Sequence, residues 1–423
     1  MRLGNEAPAN TARARSLTAR GWIWAGACLA GSACAGAPAL AAEVTAQGGV
    51  KLQYDSNLFR INEDAVTPGS SRDERSVLAT AGLATELGDE EFGGSLEGNL
   101  FRQWFDKNGY LDFTGYSLAG DVRKDGPTLQ IALDAKRDRR LSSFSDIRTT
   151  ERNLQTLTRI NGDVSLTAFG DWRLLTGASL TRSVNSAALV KSSDYRQIGA
   201  RVGIGYYSPL GNIFALRFTH SDGRGLNSST ILVDGVERLY RQNFTENGGE
   251  VLVQYAPSVA SSLTARIGYV DRQDDSVFDN DYSGIVARFT ADWRPRDTIR
   301  VTFDAGRRLD TESLIYADAV KVTYAGITAQ GDISPDLTAT AGFQYTRQRF
   351  SYDIQAPVPL QERTENLKIL SAGLSYQPAQ RFGLSLEGSR EMRSSNLDSF
   401  GYDANVVRLT GLVKFGPGAT TGE

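Results

Sequence analysis

The chain has 423 residues, of which 46 are Lys or Arg and 49 are Asp or Glu, with one histidine and two cysteines. This mildly acidic balance argues against a strongly basic nucleic-acid-binding protein. Beyond the N-terminal segment, no stretch approaches the roughly 18 consecutive apolar residues of a transmembrane helix. The sequence therefore excludes a helical membrane protein and argues against a nucleic-acid partner.

The N-terminal segment has the features of a secretory signal peptide. Four arginines precede an apolar stretch at 22–37, and Ala39-Leu40-Ala41 matches the small-residue cleavage pattern. We therefore expect a signal peptide at 1–41, with a permanent membrane anchor as the alternative. Cys28 and Cys34 both lie in it, so the predicted mature chain has neither a disulfide nor a thiolate metal site.

From Val44 onward, about eighteen short segments carry an apolar or small residue at every second position. A side-chain period of two predicts β-strands, and its repetition without helical segments predicts a sheet with one apolar and one polar face. The last such segment runs to an aromatic residue, Phe415. Behind a secretory leader, this pattern predicts a transmembrane antiparallel β-barrel over 42–423, with a short C-terminal tail at 416–423. A soluble all-β protein is the alternative.

Two kinds of connection alternate along the predicted barrel. Tight turns rich in Gly, Pro and Asp occur at 88–90, 124–127, 169–171, 208–212, 256–258, 294–297, 334–336 and 377–379. Longer polar connections lie near 60–75, 105–110, 141–151, 185–194, 221–240, 272–280, 309–318, 351–363 and 395–402. Eight short and nine long connections predict eighteen strands with short periplasmic turns, longer extracellular loops and both termini in the periplasm.

The alternation also assigns the faces of the strands. Segments such as Ile285 to Trp293 and Ile299 to Ala305 place aliphatic and aromatic residues toward lipid. The candidates for lining the lumen are the charged residues of the opposite face. They are Arg159, Asp163, Arg201, Arg217, Glu250, Arg266, Arg288, Asp292, Arg300, Asp304, Glu387 and Arg408. Trp172, Tyr206, Tyr255 and Trp293 fall near the tight turns, where an interfacial aromatic girdle is expected.

Residue patterns for catalysis or metal binding are weak. His220 is in phase with outward-facing apolar residues, which disfavours a hydrolytic site in the lumen. The Asp-rich stretches around 271–281 lack EF-hand spacing, and solvated loop charge explains them better than Ca²⁺ binding. We therefore predict a protein that is not an enzyme and has no cofactor and no metal site.

One short motif at the end of the first predicted strand carries a family resemblance. Asp55, Asn57, Leu58, Phe59 and Arg60 form an Asp-x-Asn-Leu-Phe-Arg element that resembles the EpsL-type outer-membrane proteins associated with exopolysaccharide synthesis, within the wider β-barrel porin group. A second, weaker similarity lies near the end of the chain, at Ser395-Asn396 and at Tyr402 with the final strand. From the residues themselves, a loop staple is favoured over a contact with sugar, because Asp and Asn accept hydrogen bonds from the backbone of a turn.

The resemblance implies a Gram-negative outer-membrane conduit for an exported exopolysaccharide, with a periplasmic export partner. A diffusion porin for small solutes is the main alternative, and a structural or adhesive surface barrel is a weaker one. Outer-membrane lipid and the barrel assembly machinery are the other expected partners, with Phe415 as part of the assembly signal. Since an 18-stranded barrel can enclose an aqueous channel, we expect loops 60–75 and 221–240 to fold inward as a plug.

Overall fold

The computed structural model describes residues 43–62, 71–88, 91–145, 150–233, 236–241, 243–275, 281–310, 320–350 and 363–416. The expected leader, 1–41, and residues 417–423 of the tail lie outside the described residues. No helix within these ranges is long and apolar enough to cross a membrane.

The described residues form twenty β-strands and three short 3₁₀ turns. The first nine strands are β1 Glu43–Asp55, β2 Glu74–Gly88, β3 Phe92–Phe105, β4 Phe113–Asp125, β5 Leu129–Leu141, β6 Leu154–Phe169, β7 Trp172–Asn185, β8 Tyr195–Tyr207 and β9 Ile213–Gly225. A small hairpin follows, β10 Ser229–Val233 and β11 Val236–Tyr240. The last nine are β12 Asn243–Ser258, β13 Ser261–Asp274, β14 Tyr282–Arg296, β15 Ile299–Asp310, β16 Val320–Ser334, β17 Leu337–Phe350, β18 Arg363–Ala379, β19 Phe382–Ser395 and β20 Tyr402–Phe415. The 3₁₀ turns are Gly109–Leu111, Ala188–Ser193 and Asp398–Phe400.

Eighteen of these strands form one closed antiparallel barrel. Each barrel strand pairs with its neighbours in chain order, with β9 pairing directly to β12. The barrel closes where β1 pairs with β20, from Ala46 opposite Phe415 to Asp55 opposite Val406. The predicted fold class and the predicted number of strands are confirmed.

Short and long connections lie at opposite ends of the barrel, here called the turn end and the loop end. At the turn end, β6 and β7 are joined through Gly170 and Asp171, with Gly170 in the left-handed region at φ 52°. Glycine adopts that conformation without the steric cost that a Cβ would add. The alternation of eight short and nine long connections agrees with the sequence pattern.

One predicted loop is corrected by the structure. The segment 221–240 was expected to be a polar loop that closes the lumen, but β9 continues to Gly225 and pairs with β8 and β12 up to that end. The rest of the segment forms β10 and β11, which pair only with each other, and Leu239 is 79% exposed. β9 extends this far because its backbone N–H and C=O groups are paired on both sides, with β8 and β12.

The two faces of the barrel differ as the strand pleat requires. Ile285 lies opposite Tyr269, and Phe289 lies opposite Ala265 and Ala305, so the apolar side chains of neighbouring strands share the outward face. Ile285, Phe289 and Phe303 are exposed on it. Trp172 and Tyr206 also lie directly opposite each other near the turn end, with ring centroids 5.5 Å apart. The outward face is therefore apolar through the middle of the barrel wall, and the inward face there holds the polar residues.

Candidate functional site

The lumen wall carries cross-strand ion pairs at mid-height. On β8, Arg201 donates from Nε and Nη2 to both carboxylate oxygens of Asp163 on β6, at 2.7 and 2.5 Å. On β9, Nη2 of Arg217 lies 2.5 Å from Oε1 of Glu250 on β12. Bidentate guanidinium–carboxylate pairing fixes both side chains against the wall. These four predicted residues therefore hold one another in place.

A second group of ion pairs lines a cavity on another part of the inner wall, between β14 and β20. Arg300 Nη2 lies 2.7 Å from Asp292 Oδ1, and Arg288 Nη2 lies 3.2 Å from Asp304 Oδ2. The cavity has a volume of about 660 Å³, and its lining also includes Glu387, Arg408 and hydroxyl and amide side chains of β16 to β19. This part of the lumen offers both charges and many neutral hydrogen-bonding groups to a polar solute.

Arg266 differs from the paired arginines around it. It lies directly opposite Leu252 on β12 and Arg288 on β14, so two like charges face each other across neighbouring strands. No carboxylate of the described residues lies within salt-bridge distance of Arg266. Like charges in directly opposed positions destabilise a sheet. The arrangement leaves a local excess of positive charge on the lumen wall.

The remaining lumen candidates also fall on the inward face. Arg159 lies opposite Lys136 on β5, in the same phase as Asp163. Near the closure of the barrel, Arg408 donates from Nε to Gln53 Oε1 at 3.2 Å and lies 4.0 Å from Glu387. All twelve candidates thus share one face in the structure.

The motif at the end of β1 forms a hydrogen-bond network between the first and the last strands. Asn57 is fully buried, and its side-chain amide donates to the carbonyl oxygens of Ile61 at 2.8 Å and Asp403 at 3.0 Å. Its Oδ1 accepts the backbone N–H of Ile61, and its own N–H donates to Asp55 Oδ1 at 2.9 Å. Asn57 thereby ties the β1–β2 connection to β20.

Arg60 extends this hydrogen-bond network to β19. Its guanidinium lies 2.9 Å from Asp55 and 2.8 Å from Glu391, and it donates to the carbonyl oxygen of Asn57. Burial lowers the pKa of Arg60, but the hydrogen bond to Glu391 and the charges of Asp55 and Glu391 outweigh it and raise the pKa above its ordinary value. Arg60 adopts φ 53°, a left-handed backbone conformation uncommon outside glycine. Its contacts are what hold this residue in that conformation.

An apolar cluster lies beside this hydrogen-bond network, inside the loop end of the barrel, which is called the mouth. Phe59 is 2% exposed and contacts Phe144 of the β5–β6 connection, with ring centroids 4.9 Å apart in an edge-to-face arrangement. Inward residues of β3 and β4, including Phe101 and Phe113, complete the cluster. The described part of the 60–75 loop thus begins with residues packed inside the mouth, while 63–70 lie outside the described residues.

Two features of the mouth were missed by the sequence reasoning. Glu74, only 1% exposed, accepts backbone N–H groups of Asp106, Lys107 and Asn108 and so fixes the β3–β4 connection. Arg393 on β19 donates to the carbonyl oxygen of Ser145 at 2.5 Å, although 248 residues separate the two. Neither contact has a local sequence signal.

Two weaker candidate sites, His220 and the 271–281 stretch, have no set of catalytic partners among the described residues. His220 is exposed on the outward face, and its Nδ1 lies 2.8 Å from Asn247 Oδ1. In the 271–281 stretch, Asp271 accepts a hydrogen bond from Ser283 at 2.5 Å, and 276–280 lie outside the described residues. Within the described part of the chain, no group of three or more His, Cys, Asp or Glu side chains is arranged to hold a metal ion.

The chain is similar to known β-barrel proteins. Residues 258–415 match the family described as "Putative beta-barrel porin 2", which is less than half of the chain. No curated protein matches it in sequence. Solved structures with a similar barrel include Pseudomonas aeruginosa OccK2 (OpdF) in complex with glucuronate, at 13% identity over 89% of this chain and 98% of that chain, TM-score 0.44.

Two further structures have a comparable likeness. Pseudomonas aeruginosa OpdK has 12% identity over 88% of this chain and 99% of that chain, with a TM-score of 0.45. Acinetobacter baumannii OccAB4 has 10% identity over 88% of this chain and 98% of that chain, with a TM-score of 0.46. By its own strand pairing the chain is a closed 18-stranded antiparallel β-barrel, and its C-terminal part is similar to the matched porin family.

Proposed function

We propose that the protein is a passive outer-membrane channel for small polar solutes. The observation that carries the proposal is the division of one closed barrel into an apolar outward face and an inward face of ion pairs and neutral polar groups. Lipid on one side and water on the other is the environment in which both faces are satisfied.

The dimensions of the barrel support passage of solutes. Eighteen strands about 4.8 Å apart and tilted by about 40° give a backbone cylinder about 36 Å across. Barrels of about 16–18 strands leave an aqueous channel once inward side chains are subtracted. The mouth cluster around Phe59 then narrows one side of that channel, which limits the size of the solute.

The small-solute reading takes precedence over exopolysaccharide export for two reasons. The matched family over 258–415 is described as a porin. In addition, Asn57 and Phe59, which carry the resemblance to exopolysaccharide-associated barrels, are buried in contacts with the protein itself. These side chains act as a staple, and because they are buried they present almost no surface to a passing polymer. Export of a polysaccharide, with a periplasmic partner, remains a prediction.

Conductance of the purified protein in planar lipid bilayers tests the proposal. We expect stepwise ohmic channels, together with swelling of protein-containing liposomes in small sugars but not in large oligosaccharides. Phe59→Ala should increase the conductance and admit larger sugars, because it thins the cluster at the mouth. The matched control Phe218→Ala, on the outward face, should leave both properties unchanged.

A deletion strain separates the two functions. Slower uptake of small polar nutrients with normal secreted polysaccharide supports the channel. Reduced secreted polysaccharide with normal uptake, combined with bilayers that show no channels, would overturn the proposal in favour of export.

A further inference from the structure

Basic side chains are concentrated on the outward face of the barrel near the loop end. Exposed Arg or Lys residues occupy outward positions on β2, β3, β5, β7, β8, β9, β15, β17, β18 and β19, with Arg137, Arg182 and Arg347 as examples. Each lies within the six strand residues nearest the loop end. We call this set the basic belt.

Acidic residues do not balance the basic belt. The acidic side chains in the same outward zone are Asp222, Asp271 and Asp403 among the described strands. Asp222 is paired with Arg224 at 2.8 Å and Asp403 with Arg390 at 3.1 Å. At the turn end, outward positions are mostly aliphatic or aromatic, with Lys124 and Arg296 as basic exceptions. The positive charge is therefore concentrated at the loop end.

A groove on the outward face joins this belt to the apolar surface. It has a volume of about 810 Å³, lies across the barrel closure and opens outward. Its outward-facing apolar side chains are Leu52, Tyr54, Val77, Trp104, Val407 and Leu409. Arg75 lines the same groove at its loop-end margin, opposite Tyr54.

A second arginine flanks the groove. Arg102 lies two residues along β3 from Trp104, and its guanidinium carbon is 5.9 Å from the centroid of the Trp104 ring. It also donates to Thr114 on β4 at 3.2 Å, which holds the charged group at the outward surface. The groove therefore has an apolar floor with two guanidinium groups at its edges, and Asp106 lies beside Arg75 at the loop-end margin.

We infer that this groove binds a phosphorylated, acylated glycolipid of the outer leaflet, with phosphate groups on Arg75 and Arg102 and an acyl chain along the apolar floor. The inference rests on the proposed outer-membrane location. Guanidinium groups recognise phosphate through paired N–H donors, and anionic head groups are the source of negative charge at this depth of a membrane. An acyl chain covers apolar side chains that water would otherwise contact. The same lipid, bound around the barrel, neutralises the rest of the basic belt.

Binding of bisphosphorylated, hexa-acylated lipid A to the delipidated full chain in detergent tests this inference. Native mass spectrometry gives the dissociation constant for lipid A and for the same glycolipid after enzymatic removal of its phosphates. We expect the loss of the phosphates, or the double substitution Arg75→Gln with Arg102→Gln, to weaken binding at least about tenfold, which is about 1.4 kcal/mol.

The matched control removes the same charge from the lumen, through Arg288→Gln with Arg408→Gln, and should leave lipid affinity unchanged. Equal affinity for the two glycolipids, or an equal loss in the lumen control, would overturn the inference. Channel conductance in lipid bilayers without lipid A is measured for the same variants. If the groove variant conducts normally and binds lipid A as tightly as the wild type does, only this inference is refuted. If the wild-type protein forms no channels, the proposed function is refuted.

Discussion

Exchanging polarity on the two faces of β14 tests whether the outward surface contacts lipid. Phe289 is the eighth of the fifteen residues from Tyr282 to Arg296, so it lies at the middle of the strand. It faces outward and is 43% exposed. We expect Phe289→Arg to prevent or strongly weaken insertion, because a cation near the bilayer midplane has no water and no partner.

The free-energy cost of Phe289→Arg follows from the exposed area of Phe289 and from its position at the middle of the strand. An Arg at the midplane of a barrel costs about 2–4 kcal/mol. The exposed 43% of Phe289, taken from a side chain of about 200 Å² at about 25 cal/mol per Å², adds about 2 kcal/mol of lost lipid contact. The total is about 4–6 kcal/mol.

The neighbouring residue provides the matched control. Arg288→Phe breaks a pair whose arginine side chain is 63% exposed to the lumen, so it should cost about 0–1 kcal/mol. Urea titration of folding into liposomes, read by the mobility shift of the folded barrel on gels, measures both variants. Equal losses of stability, or a larger loss for Arg288→Phe, would refute the assignment of the faces.

Three other predictions concern assembly, selectivity and barrel closure. Phe415→Ala should lower the amount of barrel in the outer membrane, whereas deletion of 416–423 should not; the opposite pattern in membrane fractions would contradict the predicted assembly signal. Arg266→Gln should shift the reversal potential in a KCl gradient toward that of K⁺, because it removes a lumen charge without a close carboxylate. The outward change Arg349→Gln should not shift it, and equal shifts would show that Arg266 does not act on permeating ions. Asn57→Ala removes three side-chain hydrogen bonds and should destabilise the folded barrel by about 2–4 kcal/mol, and an unchanged urea midpoint would count against its role.

The barrel and the faces of its strands were predictable because both follow from a local rule. Side chains alternate across a pleated strand, so a repeated period of two determines which residues share a face wherever the strand pairs. Arg288 and Phe289 were assigned to opposite faces on this basis, and the register of β14 with β13 and β15 places them so. Turn residues set the number of strands in the same local way.

The mouth could not be predicted because its contacts join residues that are distant in sequence. Arg60 meets Glu391 across a separation of 331 residues, and Asn57 meets Asp403 across 346. Such pairs depend on closure of the whole barrel, and no local pattern specifies them. The β10–β11 hairpin was missed for a different reason, since neither Ser-Thr-Ile-Leu-Val nor Val-Glu-Arg-Leu-Tyr alternates between apolar and polar residues.

Closure of the barrel explains why the two distinctive ends of the sequence are where they are. The pair of β1 and β20 is the one strand pairing of the barrel that joins the ends of the chain, so no tight turn holds it in register. At its loop end, Asp55 lies opposite Val406, and the motif adds hydrogen bonds from Ser56 and Asn57 to β20. At its turn end, Ala46 lies opposite Phe415. The motif that resembles a family signature and the aromatic residue of the predicted assembly signal thus lie at opposite ends of the same seam. This position relates both features to closure of the barrel, whatever the function of its lumen.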